Sequence, residues 1–275
     1  LAAAFGAAGI VLPTPFPQIT YDESIRRFGS DKPDMRLPEL VDISSVFTSA
    51  DIESLAIDPA LPMVAVRVAK VGELSRKERE ENRPLFDLRK GAKLIDDLKR
   101  LEKSFPEAVA KIREQTKAAP DDLVVVVAGD AATRIEASDT KIPGRLTERE
   151  IAVYSAAGIL RTELSKKYAD RHGAFSKTDR AVEQAASGSL DSAGTIVQGG
   201  EAFFPIWVTD FPMFEYDPES KHWMPAHHPF TSPHEEDMER LVSDPASVRA
   251  RYYDLAMNGL ELGSGSIRIY RKDVQ

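Results

Sequence analysis

Residues 123–128 read LVVVVA, six apolar side chains in a row, and end in Gly129-Asp130. β-Branched residues are stiff at χ1 and favour extended backbone, so a run this short and apolar, bounded by turn residues, is a buried strand. Such a strand needs partners. Residues 63–71 (MVAVRVAKV) alternate apolar with polar side chains, as in a strand of a half-buried sheet, and residues 41–47 are strand-like as well. Ser75 is placed to cap a charge-rich stretch, 76–117, whose apolar spacing is helical with breaks near Pro84, Gly91 and Pro106. Residues 147–169 (TEREIAVYSAAGILRTELSKKYA) form an amphipathic helix. The mixture reads as α+β.

This middle region, 37–199, is self-contained in pattern. It closes on an Ala-, Ser- and Gly-rich return connection over 185–200. At 275 residues the chain has room for two domains, or for one large domain carrying an insertion. A division into segments 1–36, 37–199 and 200–275 follows, with the middle one inserted between the outer two. The charged face of 76–117 is read as solvated.

Composition removes several classes of function. There is no cysteine, hence no disulfide, thiolate metal site or cysteine nucleophile. A net charge of −8 argues against a general nucleic-acid coat. No apolar run is long enough to span a membrane. Residues 1–16 are apolar and Ala-rich but lack a basic start, so they read as a buried helix end stopped by Pro13, Pro15 and Pro17 and not as a secretory signal. A chain opening on such a segment at Leu1 looks like a piece of something longer.

In the outer segments, residues 17–28 (PQITYDESIRRF) run from a short strand into a helix with Thr20 as N-cap, Glu23 completing a capping box, and Gly29 as the stop. Residues 29–36 (GSDKPDMR) follow, readable either as a plain polar turn or as a loop held beside a site. Residues 203–214 (FFPIWVTDFPMF) form a hydrophobic strand whose two prolines place it near an edge. A hairpin over 216–224, a helix pair over 235–257 and a strand with a glycine bulge over 260–270 complete the pattern.

Two places gather groups that do chemistry. Residues 226–233 (AHHPFTSP) hold His227 and His228, which point apart on a strand but can converge in a loop. Residues 261–268 (ELGSGSIR) hold Glu261 and Arg268, whose seven-residue offset puts them on opposite faces of a regular strand. One extra residue at a bulge brings both to the same face. Arg268 can grip a carboxylate through two parallel hydrogen bonds, and Glu261 can hold Mg²⁺ or an amine; a salt-bridged strand end is the plainer alternative. Together these groups suit a small anionic amino acid beside a nucleotide. Asp210 is read as a structural carboxylate. No phosphate-binding glycine loop, hydrolytic triad or compact histidine metal spacing is present.

Taken in order, 29–36 (GSDKPDMR), 207–214 (WVTDFPMF), 226–233 (AHHPFTSP) and 263–268 (GSGSIR) resemble blocks of bacterial-type aspartyl-tRNA synthetase, and the likeness extends from Phe16 to Gln275. The resemblance implies part of the class II synthetase antiparallel sheet with flanking helices, interrupted by an inserted α+β domain. That insert is similar to a module of a tRNA-dependent amidotransferase subunit, most clearly at 125–130 and 156–164.

By the same resemblance His227 and His228 lie in the loop that contacts aspartate, Arg268 binds its carboxylate, and Glu261 binds ATP through Mg²⁺; no residue is assigned a covalent catalytic role. The implied reaction forms aspartyl-adenylate from L-aspartate and ATP, then transfers the aspartyl group to tRNA(Asp), with tRNA(Asn) left open. The family's main ATP-gripping motifs and its dimer-forming motif fall outside these residues, so the chain alone is expected to form no adenylate, and a homodimer is expected of the whole protein. Its expected place is the cytoplasm, with the mitochondrial matrix or another organelle as the alternative. A tRNA-contacting or interaction module is the competing reading. A sister enzyme for asparagine or lysine fits less well, because Arg268 and a protonated His227 favour a carboxylate.

Overall fold

The computed structural model describes residues 1–275 apart from 13, 89–90, 133–144, 174, 176–194, 197–201 and 218. Helix α1 (Ala2–Ala7) is short and largely exposed, so the N-terminal segment is not the buried helix end its apolar composition led us to expect. Strand β1 (Gln18–Thr20) runs straight into α2 (Tyr21–Phe28). The Thr20 side chain accepts from the Glu23 backbone N–H, and Gly29 ends the helix in the left-handed conformation. The capping box is only half made, because the Glu23 carboxylate pairs with Arg27 one turn on.

Next come β2 (Val41–Asp42), α3 (Ser49–Ser54), β3 (Met63–Val68), α4 (Arg76–Phe86), β4 (Ala92–Asp97), α5 (Leu98–Leu101), α6 (Pro106–Thr116), β5 (Leu123–Gly129), α7 (Glu148–Lys167) and α8 (Ala169–His172). Ser75 and Thr147 begin α4 and α7 with complete capping boxes to Glu78 and Glu150. Pro84 does not break α4 but lies inside it.

Strands β2, β3, β5 and β4 form one antiparallel sheet in that order. Val64, Val66, Val125 and Val127 face Val153, Ala157, Leu160 and Leu164 of α7, while Ala65, Val124 and Val126 face Leu101, Val109 and Ile112 on the other side. Both faces are therefore covered, which corrects the half-buried reading of 63–71. Residues 92–97, expected to be helical, form β4, because β5 offers them an edge to pair with. Register against a distant strand overrides a local preference for helix.

The remaining elements are β6 (Thr195–Ile196), β7 (Ala202–Phe203), β8 (Pro205–Thr209), β9 (Phe214–Asp217), β10 (His222–Pro225), two 3₁₀ turns (Glu235–Arg240 and Pro245–Ser247), β11 (Tyr252–Met257) and β12 (Leu260–Ser266). A second four-stranded sheet has the order β1-β8-β11-β12, with only the β1–β8 pairing parallel. Strand β8 sits inside this sheet and not at its edge. Its two prolines do no harm, since Pro205 opens the strand and Pro212 falls beyond its end. The predicted hairpin is β9–β10. The expected helix pair over 235–257 is instead two 3₁₀ turns followed by strand β11.

Helix α7 joins the two sheets. It packs on β3 and β5 with one side and on α2 with another. Gly29 and Gly158 meet backbone to backbone, so that a Cβ at Gly158 would lie 2.6 Å from the Gly29 carbonyl oxygen. Among the described residues, no helix is long and apolar enough to cross a membrane.

Candidate functional site

The site is built on the β11–β12 hairpin. Asn258 and Gly259 form its two-residue turn, both with positive φ, the conformation whose twist suits adjoining strands. Ala256 pairs with Glu261 and Leu255 with Gly263, which leaves Leu262 as an extra residue. This bulge shifts the alternation by one. Glu261, Ser264 and Ser266 then share a face with Ala256, Asp254 and Tyr252, while Arg268 lies beyond the end of β12, where it bridges to Thr231. The expected bulge is present, at Leu262 just ahead of the glycines, and it sets Glu261 on the face of Asp254, while Arg268 falls beyond the paired strand.

Helix α2 packs on that face through Phe28, and the 29–36 loop continues from its end over the hairpin. The loop brings Lys32 to 2.8 Å from Asp31 and 3.4 Å from Glu261. Burial alone would lower the Lys32 pKa, but Asp31 with Asp254 and Glu261 more than offsets this and leaves it raised. Of the two readings of the loop, it is the one beside a cluster of ionisable groups.

Asp254 is at the centre of the cluster and is 2% exposed, and its Oδ1 has no hydrogen-bond partner. Burial pushes its pKa up to about 6, with Tyr252 and Lys32 opposing and Glu261 and Asp31 reinforcing the rise. Sequence reasoning missed Asp254 because it placed 252–257 in a helix. The signal was there: Tyr252, Asp254 and Ala256 alternate with Tyr253, Leu255 and Met257, immediately before Asn258-Gly259.

His227 stacks on Tyr252 with ring centroids 4.1 Å apart and meets the edge of Phe211 at 5.1 Å. Much of the residue stays exposed, yet its ring is covered, and this desolvation holds its pKa below the usual 6.5 despite Asp31 and Glu261. Burial of the ring thus works against an imidazolium there. His228 points elsewhere. It packs near Phe230, accepts the Phe230 N–H on Nδ1, and lines an open cleft with Arg268 and Ile269. The structure thus brings Glu261 and His227 together and sets His228 beside Arg268.

The histidine loop is tied to the strand that carries Arg268. The Ser232 N–H donates to the Ile267 carbonyl (2.7 Å), and the Ile269 N–H donates to that of Phe230 (2.9 Å). Its far end is held by His234 Nε2, 2.9 Å from Asp210, whose pKa is lowered by that contact. Asp210 is thus an anchor for the loop, in line with its reading as structural.

These residues match known proteins throughout. The family model for tRNA synthetases class II (D, K and N) covers residues 4–275. The chain belongs to this family. The chain is 39% identical to the aspartate–tRNA(Asp/Asn) ligase of Acidobacterium capsulatum over its whole length, which is 42% of that protein. It is 34% identical to the aspartate–tRNA ligase of Geobacillus kaustophilus (98% of this chain, 40% of that protein) and 32% identical to that of Enterococcus faecalis (97% and 39%). It therefore spans about two fifths of the length of these relatives. The class II assignment agrees with the observed α+β architecture of antiparallel sheets flanked by helices.

Among the described residues no group of three or more histidine or acidic side chains is set to hold a metal. The pair Asp254 and Glu261 still fits Mg²⁺. That ion takes oxygen ligands, keeps several waters, and is held in nucleotide sites by one or two carboxylates together with substrate phosphates. A partnerless buried carboxylate oxygen is the kind of donor it would satisfy.

Proposed function

We propose that this chain supplies the amino-acid wall of an ATP-dependent aspartate–tRNA ligase, with L-aspartate, ATP and tRNA(Asp) as its substrates and residues 37–199 as a domain inserted into the catalytic half. Acceptance of tRNA(Asn) and pairing of two copies belong to the same reading. The observation that carries it is the bulged hairpin, which aligns Asp254 and Glu261 on one face beside Lys32 and His227, with Arg268 following just beyond the strand's end.

Arg268 offers a planar fork for the side-chain carboxylate of aspartate. His227, fixed by stacking on Tyr252, adds a polar edge, and His228 lines the Arg268 cleft. Asp254 and Glu261 would hold Mg²⁺, which when bound neutralises the phosphates of ATP. The aspartate carboxylate then attacks the α-phosphorus, pyrophosphate leaves, and the terminal ribose hydroxyl of the tRNA displaces AMP from aspartyl-adenylate. The chain's contribution is orientation and charge, with no covalent enzyme intermediate.

The test is aspartate-dependent exchange of pyrophosphate into ATP, in the protein expressed with the sequence that flanks these residues. Arg268→Ala is expected to lower kcat/KM for aspartate by on the order of 10³, about 4 kcal/mol. Exchange driven equally by asparagine or lysine, or indifferent to Arg268→Ala, would sink the assignment.

A further inference from the structure

Arg161 lies in the middle of α7, far in sequence from every group in the site, and is 1% exposed. Its guanidinium donates to three backbone carbonyls, those of Asp34 (2.5 Å), Leu37 (2.9 Å) and Pro38 (2.6 Å), and lies over the Phe28 ring at 5.3 Å. No carboxylate among the described residues pairs with it. Burial lowers its pKa to about 10, with Asp34 and Glu39 acting the other way, so it stays charged at neutral pH. A buried charge of this kind is expensive, and an apolar side chain of similar volume often serves stability as well or better. What the arginine supplies is a fork of donors that fixes one stretch of backbone.

That stretch is the strap that carries Lys32. Residues 30–38 contain no helix or strand, so contacts at its two sides set its place. On one side are the Gly29–Gly158 backbone crossing and, one turn along α7, Arg161. On the other is the hairpin turn: the Gly259 N–H donates to the Pro33 carbonyl, and Arg36 donates to the Asn258 carbonyl, both at 3.3 Å. Lys32 and Asp31 lie just before the anchored residues, over Glu261.

We propose that Arg161 is a positioning residue, through which α7 of the 37–199 segment sets the strap and hence the placement of Lys32 and Asp31 against Glu261 and Asp254. In its functional consequence this rests on the aspartate reading given above; in its mechanical part it does not. Movement of α7 is then transmitted to the site, and a ligand that shifts α7 changes the affinity of the site by the same factor as the site's ligand changes its own.

Amide hydrogen exchange on the 275-residue chain tests the mechanical part. In Arg161→Met, which keeps length but has no donors, the amides of Lys32, Arg36 and Gly259 should lose about tenfold or more of their protection, while those of Val64 and Val126 keep theirs. Arg161→Lys, with three donors on a compact head, should fall between, and it carries the comparison alone if the methionine variant does not fold. Unchanged protection in the strap, or equal loss in strap and sheet, overturns the proposal.

Calorimetric titration with L-aspartate gives the functional arm. Arg161→Met should weaken binding about tenfold relative to the unmodified chain. Equal binding overturns the positioning role. An unmodified chain that binds no aspartate speaks against the aspartate reading, and hydrogen exchange then decides the coupling by itself.

Discussion

The two inner strands of each four-stranded sheet carry one side chain that is formally charged at neutral pH: Arg67 in β3 and Asp254 in β11. Arg67 is mostly provided for, although its Nε has no partner. It donates to the carbonyls of Thr116 (3.1 Å) and Lys117 (2.7 Å) and has Asp122 within 3.8 Å. Asp254 is more deeply buried, has a carboxylate oxygen without a partner, and faces two further acids. Each sheet leaves one buried polar atom unpartnered, but the first keeps its charge beside an acid of opposite sign, whereas the second sets a buried carboxylate among like charges, the kind of perturbed group that marks a candidate ligand site.

The largest effect that would break or confirm this contrast is at Asp254. Asp254→Asn should lower aspartate-dependent pyrophosphate exchange by on the order of 10³ or more, because an amide cannot hold a cation beside phosphates. The same change should stabilise the fold in metal-free buffer. The native pKa is raised from 3.8 to about 6, so the favourable contribution of the protonated acid is complete below pH 3.8 and is lost as pH rises through 6. Thermal melts should therefore show little difference at pH 3.5 and a variant more stable by on the order of 2 kcal/mol at pH 7. A variant less stable at pH 7 would mean that Asp254 has a structural partner and that the contrast with Arg67 is false.

A second buried acid sharpens the comparison from within the same half of the molecule. Asp237 has a side chain with no exposed surface, and burial would raise its pKa. Hydrogen bonds from the Arg249 side chain and backbone, with Arg240 adding charge, reverse this and hold it at about 2. Its stabilisation is complete above pH 3.8 and is lost as pH falls through 2. Asp237→Asn should cost about 1–2 kcal/mol at pH 7, after discounting for the partial exposure of Arg249, and much less near pH 2, with aspartate affinity little changed. Asp237 and Asp254 would then respond to the same substitution with opposite signs in stability.

How much of this could be read beforehand depended on the range of the interaction. The caps at Thr20, Ser75 and Thr147 act over three residues and were legible, as was the buried run that became β5. The bulge that sets Glu261 on the face of Asp254 was also legible, since glycines mark it locally. Strand β4 was not, because its partner β5 lies well along the chain, and β11 was lost although its partner β12 follows at once across a two-residue turn, so Asp254 went with it. Asn258-Gly259 should have recovered it, since a turn with both φ positive calls for a strand on each side. Arg161 gave no signal at all: only the fold brings it to the 34–38 carbonyls.

The smallest expected effect separates two neighbours that the sequence treated alike. His227 is clamped between Tyr252 and Phe211 on the face shared with Asp254, whereas His228 makes a local turn contact and leaves the rest of its ring to solvent. His227→Ala should reduce kcat/KM for aspartate by about 10- to 100-fold, since a truncated ring frees Tyr252 and opens the wall. His228→Asn keeps a side-chain acceptor for the Phe230 N–H and should stay within about threefold of the unmodified protein, a change of less than 1 kcal/mol. Equal losses at the two positions would show that the Arg268 cleft, and not the face around Asp254, is where the loop meets its substrate, and would move the centre of the site toward His228.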